Sequence, residues 1–169
     1  MKKILHLTLF LAIVSALAGG ALAWANNMTA PVIQANKERE EKQILLEMYP
    51  DAHVDDFQIV DYTSDDPDVQ KIYAYGENYI FNMQVKGYKV GTNFLVAINK
   101  DDLTITKFQA ISNGDTKGIG SKITEPAFAE SVTGKDAGGE LDTISGATVT
   151  STPVVEGIHK AADIVAQLD

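Results

Sequence analysis

From Ile4 to Ala25 the chain runs 22 residues without a charged side chain, interrupted only by His6, Thr8, Ser15 and two glycines. Wound as a helix at 1.5 Å per residue, it spans roughly 33 Å, close to the ~30 Å hydrocarbon core of a bilayer. Lys2 and Lys3 precede it, and the first charge after it is Lys37. The positive-inside rule then leaves residues 1–3 in the cytoplasm and exports everything beyond Trp24, which stands where an interfacial aromatic belongs. A cleaved signal peptide follows the same grammar, with Ala21-Leu22-Ala23 or Ala23-Trp24-Ala25 as the cleavage signal. The run is longer than most signal cores, which favours a single-pass anchor over 4–25 in the inner (cytoplasmic) membrane. Under either reading the remaining chain works on the extracytoplasmic side.

Charge and cysteine usage narrow the function classes. Fourteen Lys and Arg stand against 23 Asp and Glu, a formal charge of −9 in 169 residues. An acidic chain lacks the basic face that phosphate backbones require, so no nucleic-acid partner is expected. With no cysteine, disulfides, Cys-ligated zinc, iron–sulfur clusters, a thiol nucleophile and an N-terminal lipidated cysteine are excluded. His6, His53 and His159 are too scattered to suggest a metal site.

Beyond the apolar run the pattern is α+β. Residues 26–50 read as a helical stalk: helix formers crowd Ile33 to Tyr49, Pro31 stands near the start and Pro50 stops it. Its first half is nearly all charged, and Ile44, Leu45 and Met48 are left to pack. An acidic, turn-prone stretch over Asp61–Asp68 lacks the glycine and closing glutamate of a calcium loop and reads as a solvated loop. Strand-like runs follow at Phe57–Tyr62, Val69–Tyr75, Tyr79–Val85, Asn93–Asn99 and Thr104–Ile111, alternating or rich in β-branched and aromatic residues. Gly76-Glu77, Lys86-Gly87 and Lys100–Asp102 separate them, too tightly for helical crossovers, so the sheet of the 51–169 domain is expected to be antiparallel. A short helix is expected over Thr124–Val132, burying Phe128. Val154, Ile158, Ala161, Ala162, Val165 and Leu168 share one face of a C-terminal helix, with Pro153 in its first turn and Ser151 or Thr152 as its cap.

Just before that helix, Ser145–Ser151 reads Ser-Gly-Ala-Thr-Val-Thr-Ser, a dense cluster of hydroxyls. Unpaired N–H groups and the positive end of a helix dipole favour a phosphate there, and Gly146 and Ala147 let the backbone approach a ligand. A simple capping turn uses the same residue types. Asn113–Gly120 is a second, glycine-rich loop.

Ser145-Gly146-Ala147-Thr148-Val149-Thr150 resembles the flavinylation motif of the covalent FMN-binding domain family, found in the Rnf and Nqr redox-driven ion pumps. An N-terminal membrane helix, Thr29-Ala30-Pro31 just after it, and the glycine-rich loop ahead of the motif follow the family's order. The chain resembles in plan the G subunits of Rnf complexes, which are related to the C subunits of Na+-translocating NADH:quinone reductases. The resemblance implies FMN joined through a phosphoester to Thr150, with Ser145, Gly146, Ala147 and Thr148 around it. It also lays the glycine loop against the flavin, through Asp115, Thr116, Gly118, Ile119 and Gly120. The family's loop usually reads Glu-Thr-Pro-Gly-Leu-Gly; here a shorter acid, Asp115, and Lys117 in place of proline depart from it.

A threonine hydroxyl is a poor nucleophile, and this chain carries no phosphate-transfer machinery of its own: Gly134-Lys135 lacks the rest of a P-loop. The resemblance implies a separate flavin transferase using FAD and magnesium, which makes Thr150 a modified residue rather than a catalytic one. Lys122, Lys160 and His159 are candidates to neutralise the resulting anion. A tethered flavin cannot be lost to the outside, and the protein's task becomes holding and tuning the ring. The expected function is an electron relay, not catalytic alone, within a membrane complex coupling ferredoxin/NAD electron transfer to ion movement. A stand-alone exported FMN carrier and a flavin-free exported binding domain are the alternatives.

Overall fold

Short turns between alternating apolar runs dictate a meander. In the computed structural model, which describes residues 2–62 and 66–168, five strands lie in sequence order, each antiparallel to the next: β1 Gln58–Ile59, β2 Val69–Tyr75, β3 Asn78–Val85, β4 Thr92–Asn99 and β5 Ile105–Asn113. Gly76-Glu77 closes the β2–β3 hairpin, with Tyr75 opposite Asn78. Gly76 takes φ +55, the left-handed conformation such turns demand. At the β4–β5 turn, Asn99 accepts from the Asp101 N–H through its side chain (2.9 Å).

The sheet is buried on both faces. The side-chain period of two sends Phe81, Met83, Phe94 and Val96 one way and Ile80, Leu95 and Ala97 the other, all fully buried. Against the first face lie α2 (Pro126–Val132) and α3 (Thr148–Leu168) through Phe128, Val132, Val154, Ile158 and Val165. Each large apolar side chain buried in this way is worth about 1.5–3 kcal/mol. The second face is covered by Leu45, Met48, Ala52 and Phe57. Lys107 on β5 donates to the Met48 carbonyl and lies 4.6 Å from the Tyr49 ring centroid, a cation at a helix C-terminus where the dipole favours it.

The first helix, α1, runs Lys2–Met48 with Pro31 inside it. The chain divides into two compact units, 1–42 and 43–169, so only the end of α1 belongs with the sheet. The two separate helical segments expected around Pro31 are therefore one. An interior proline costs about 3 kcal/mol, and α1 nonetheless continues through Pro31. The 18-residue stretch apolar enough to cross a membrane lies within α1 and is wholly exposed in the structure.

Other expectations shift. The strand expected over Phe57–Tyr62 shrinks to Gln58–Ile59, because Phe57 turns inward with Tyr49 and Tyr75 (centroids 6.0 and 4.8 Å). Of the acidic loop over Asp61–Asp68, residues 63–65 lie outside the described residues. The C-terminal helix begins at Thr148 rather than near Pro153, so the second half of the hydroxyl motif forms its first turn. Ser151 is no cap: its hydroxyl accepts from the Ile144 N–H (2.9 Å) and donates to the Ala147 carbonyl (3.1 Å).

Gly157 sets how closely α3 rides on the sheet. A Cβ there would lie 3.0 Å from Val85 Cγ1 and 3.1 Å from Phe94 Cζ, both in the interior. Gly157→Val should therefore destabilise the domain by about 1–3 kcal/mol, read as a lower urea midpoint, although valine is the better helix former of the two.

Candidate functional site

Two tight turns of the same kind bring the loop and the helix start together. In Ile144–Ala147 the Ala147 N–H donates to the Ile144 carbonyl (2.9 Å), and Gly146 holds φ +80. In Thr116–Ile119 the Ile119 N–H donates to the Thr116 carbonyl (3.1 Å), and Gly118 holds φ +79. Positive φ at the third residue is the type II signature, and the second position of that turn favours proline. Lys117 thus stands where proline would pre-set the backbone, which gives the departure at that position a physical meaning.

Between these turns is a cleft of about 300 Å³. Asp115, Thr116, Ile119 and Gly120 line it from the loop, and Gly146, Ala147, Thr148 and Thr150 from the motif. Of the residues expected at the site, Ser145 and Gly118 stand outside the lining; the Gly118 N–H donates to Ser121 Oγ (2.8 Å) and so shapes the loop. Tyr88 and Val149 also line the cleft, and sequence reading missed both. Tyr88 is an exposed aromatic between Gly87 and Gly91, and Val149 is the unspecified position within the hydroxyl motif. With Ile119 they form an apolar rim, 67%, 62% and 50% exposed for Tyr88, Val149 and Ile119 respectively.

The polar centre of the cleft is the pair Asp115–Thr150. The Thr150 hydroxyl donates to Asp115 Oδ2 at 2.6 Å, bridging 35 residues of sequence, and Thr150 is only 3% exposed. The same carboxylate accepts from the backbone N–H groups of Tyr88 (3.1 Å) and Lys89 (2.8 Å). Gly120 makes the approach possible: a Cβ there would sit 2.5 Å from Asp115 Cβ and 2.8 Å from Thr150 Oγ1. Burial works to raise the Asp115 pKa, but hydrogen bonds from Thr150, Lys89, Tyr88 and Gly91 outweigh it and lower it to about 2.

Two of the expected neutralisers are engaged elsewhere. Lys160 pairs with Asp68 (2.5 Å) and Asp66 (2.9 Å), and hydrogen bonds to Asp68 and Asp66 raise its pKa. His159 Nε2 lies 3.0 Å from the Gly139 carbonyl. Lys122 sits in the turn Gly120–Thr124 that follows the loop, outside the cleft lining.

Residues 87–163, which hold the whole cleft, match the family model described as FMN-binding domain. Over 182 aligned positions the chain is 30% identical to the G subunit of the ion-translocating oxidoreductase complex of Methanosarcina acetivorans, covering 97% of this chain and 95% of that protein. The chain belongs to this family of FMN-binding G subunits. The alignment takes in the apolar helix as well as the sheet domain, so the likeness is one of whole architecture.

The site residues suit the family's ligand. Apolar rim side chains offer faces and edges to a flat aromatic ring, and the positive end of the α3 dipole favours a phosphate, although the Thr150 and Ser151 N–H groups already donate to the Ala147 carbonyl.

Because the folded pKa of Asp115 lies below its ordinary 3.8, its ionised form stabilises the fold above that value, and the contribution is lost as the pH falls through about 2. Asp115→Asn should therefore lower the urea midpoint at neutral pH. The gap from the parent should narrow steadily as the pH drops below about 4, in midpoints measured across a pH series.

Proposed function

We propose that this chain is a membrane-anchored electron-relay subunit that carries FMN covalently on Thr150, within an ion-translocating oxidoreductase complex. The observation that carries the reading is the Thr150 hydroxyl, at the first turn of α3, lining the cleft of a domain that matches the FMN-binding family. The likeness to a G subunit over nearly its full length supports assembly with other subunits of such a complex.

The division into a cytoplasmic start (1–3), an anchor (4–25), a stalk (26–50) and an FMN domain (51–169) belongs to this reading, as does placement of that domain on the extracytoplasmic side. Lys2 and Lys3 support that orientation through the positive-inside rule.

Within the domain, Tyr88, Ile119 and Val149 would flank the flavin ring, while Thr150 and the start of α3 would hold its phosphate. Bound FMN supplies redox chemistry that accepts and passes on electrons; the protein holds it, keeps it from diffusing away, and sets its surroundings. No acid–base pair is needed for a relay. The Asp115–Thr150 contact is better explained by how the flavin is attached than by electron transfer. Attachment would draw on a separate flavin transferase with FAD and magnesium, since a threonine hydroxyl is by itself a poor nucleophile.

When the full chain is produced with a flavin transferase, its band on a denaturing gel should fluoresce as flavin. Thr150→Val should abolish that signal, whereas Thr148→Val should keep most of it. A fluorescent Thr150→Val band contradicts the assignment.

A further inference from the structure

Among the described residues away from the cleft, the charged clusters are ion-paired or lie on open surface. The Asp66, Asp68 and Lys160 cluster beside Pro153 and Glu156 is an ion-paired groove, and the surface beside β1 and β2 is lined by residues 59–62 and 69–72. The Asp115–Thr150 pair is different, because a carboxylate is aimed at a hydroxyl inside a cleft that has room for a ligand.

We propose that Asp115 is the catalytic base of the chain's own modification: it aligns the Thr150 hydroxyl and takes its proton as the flavin phosphate is transferred. The inference rests on the reading of Thr150 as the flavinylated residue. Three geometric facts carry it. Thr150 Oγ1 donates to Asp115 Oδ2 across 2.6 Å, which leaves the oxygen's lone pairs for an electrophile entering the cleft. Asp115 is itself fixed by N–H donors from Tyr88 and Lys89, and its own N–H donates to Asn113 Oδ1 (3.0 Å), so the hydroxyl is held rather than searching. Among the described residues lining the cleft, Asp115 is the one carboxylate, and neither His159 nor Lys160 is turned to it.

Atoms and electrons balance. The Thr150 Oγ1–P bond forms as the P–O bond within the FAD pyrophosphate breaks, and AMP leaves. The hydroxyl proton passes to Asp115 and then to solvent. No electrons are exchanged. A weak base suffices, because the hydroxyl becomes strongly acidic only as its oxygen bonds to phosphorus. Protonation also removes a negative charge beside the incoming phosphate at the moment of transfer. Once Thr150 is esterified it has no proton to donate, so the hydrogen bond exists only before modification.

The test is a time course of flavin incorporation into the purified full chain in detergent, with a flavin transferase, FAD and magnesium, read by intact mass. Asp115→Asn should slow incorporation by roughly 10²–10⁴-fold, the range for a lost general base, with little change in the concentration of acceptor chain giving half-maximal rate. Asp115→Glu should stay within roughly tenfold of the parent, because a carboxylate is restored at a somewhat different reach. Gly120→Ala, which keeps both groups but wedges a methyl between them, should also slow incorporation, and it stands in if Asp115→Asn fails to give a native melt. Parental rates for a folded Asp115→Asn, or for Gly120→Ala in its place, overturn the proposal while leaving Thr150 as the site. A parent chain that takes up no flavin overturns the reading of Thr150 instead.

Discussion

One hydrogen bond, from the Thr150 hydroxyl to the Asp115 carboxylate, joins the two halves of the site. Its length depends on elements far apart in sequence. α3 must ride close on the sheet at Gly157, the β3–β4 turn must offer the N–H groups of Tyr88 and Lys89, and Gly120 must leave space where any side chain would intrude. The apolar core acts through this geometry: Phe94 and Val85 meet α3 at Gly157, about two helical turns beyond the hydroxyl that the helix presents. Packing and function are thus linked through the position of a single turn.

The sheet was largely legible in the sequence. The β2 run over Val69–Tyr75 has the bounds expected of it, and the next three strands differ by at most a residue or two at each end, because alternating apolar residues and turn-forming Gly, Asn and Asp agree with one another. The failures share a cause. Pro31 and Pro153 read as helix boundaries, but each sits inside a helix. Proline disfavours helix interiors without forbidding them, and tertiary packing of Val154 and Ile158 holds α3 together on the far side of Pro153. β1 is short for a related reason, since Phe57 is better used in an aromatic cluster than in a ladder.

The site was legible in its parts but not in its assembly. Each motif could be read locally, and Asp115, Thr116, Ile119, Gly120, Gly146, Ala147, Thr148 and Thr150 do converge on one cleft. No local pattern shows that residues 115 and 150 are hydrogen-bonded, and none marks Tyr88 as part of the same wall. Two of the partners expected for an anion stand on α3 itself, where Lys160 is committed to Asp66 and Asp68. The charge that stands against the Thr150 hydroxyl is instead the acidic one of Asp115.

Membership in the FMN-binding family and the position of the Thr150 hydroxyl meet in one claim, that the mature chain carries its flavin through that oxygen. Intact mass spectrometry of the protein isolated from its native membrane tests it most directly. The account predicts a chain heavier by one FMN less one water, with the added mass on the peptide containing Thr150. A native polypeptide of unmodified mass, or added flavin mapped to another residue, contradicts it.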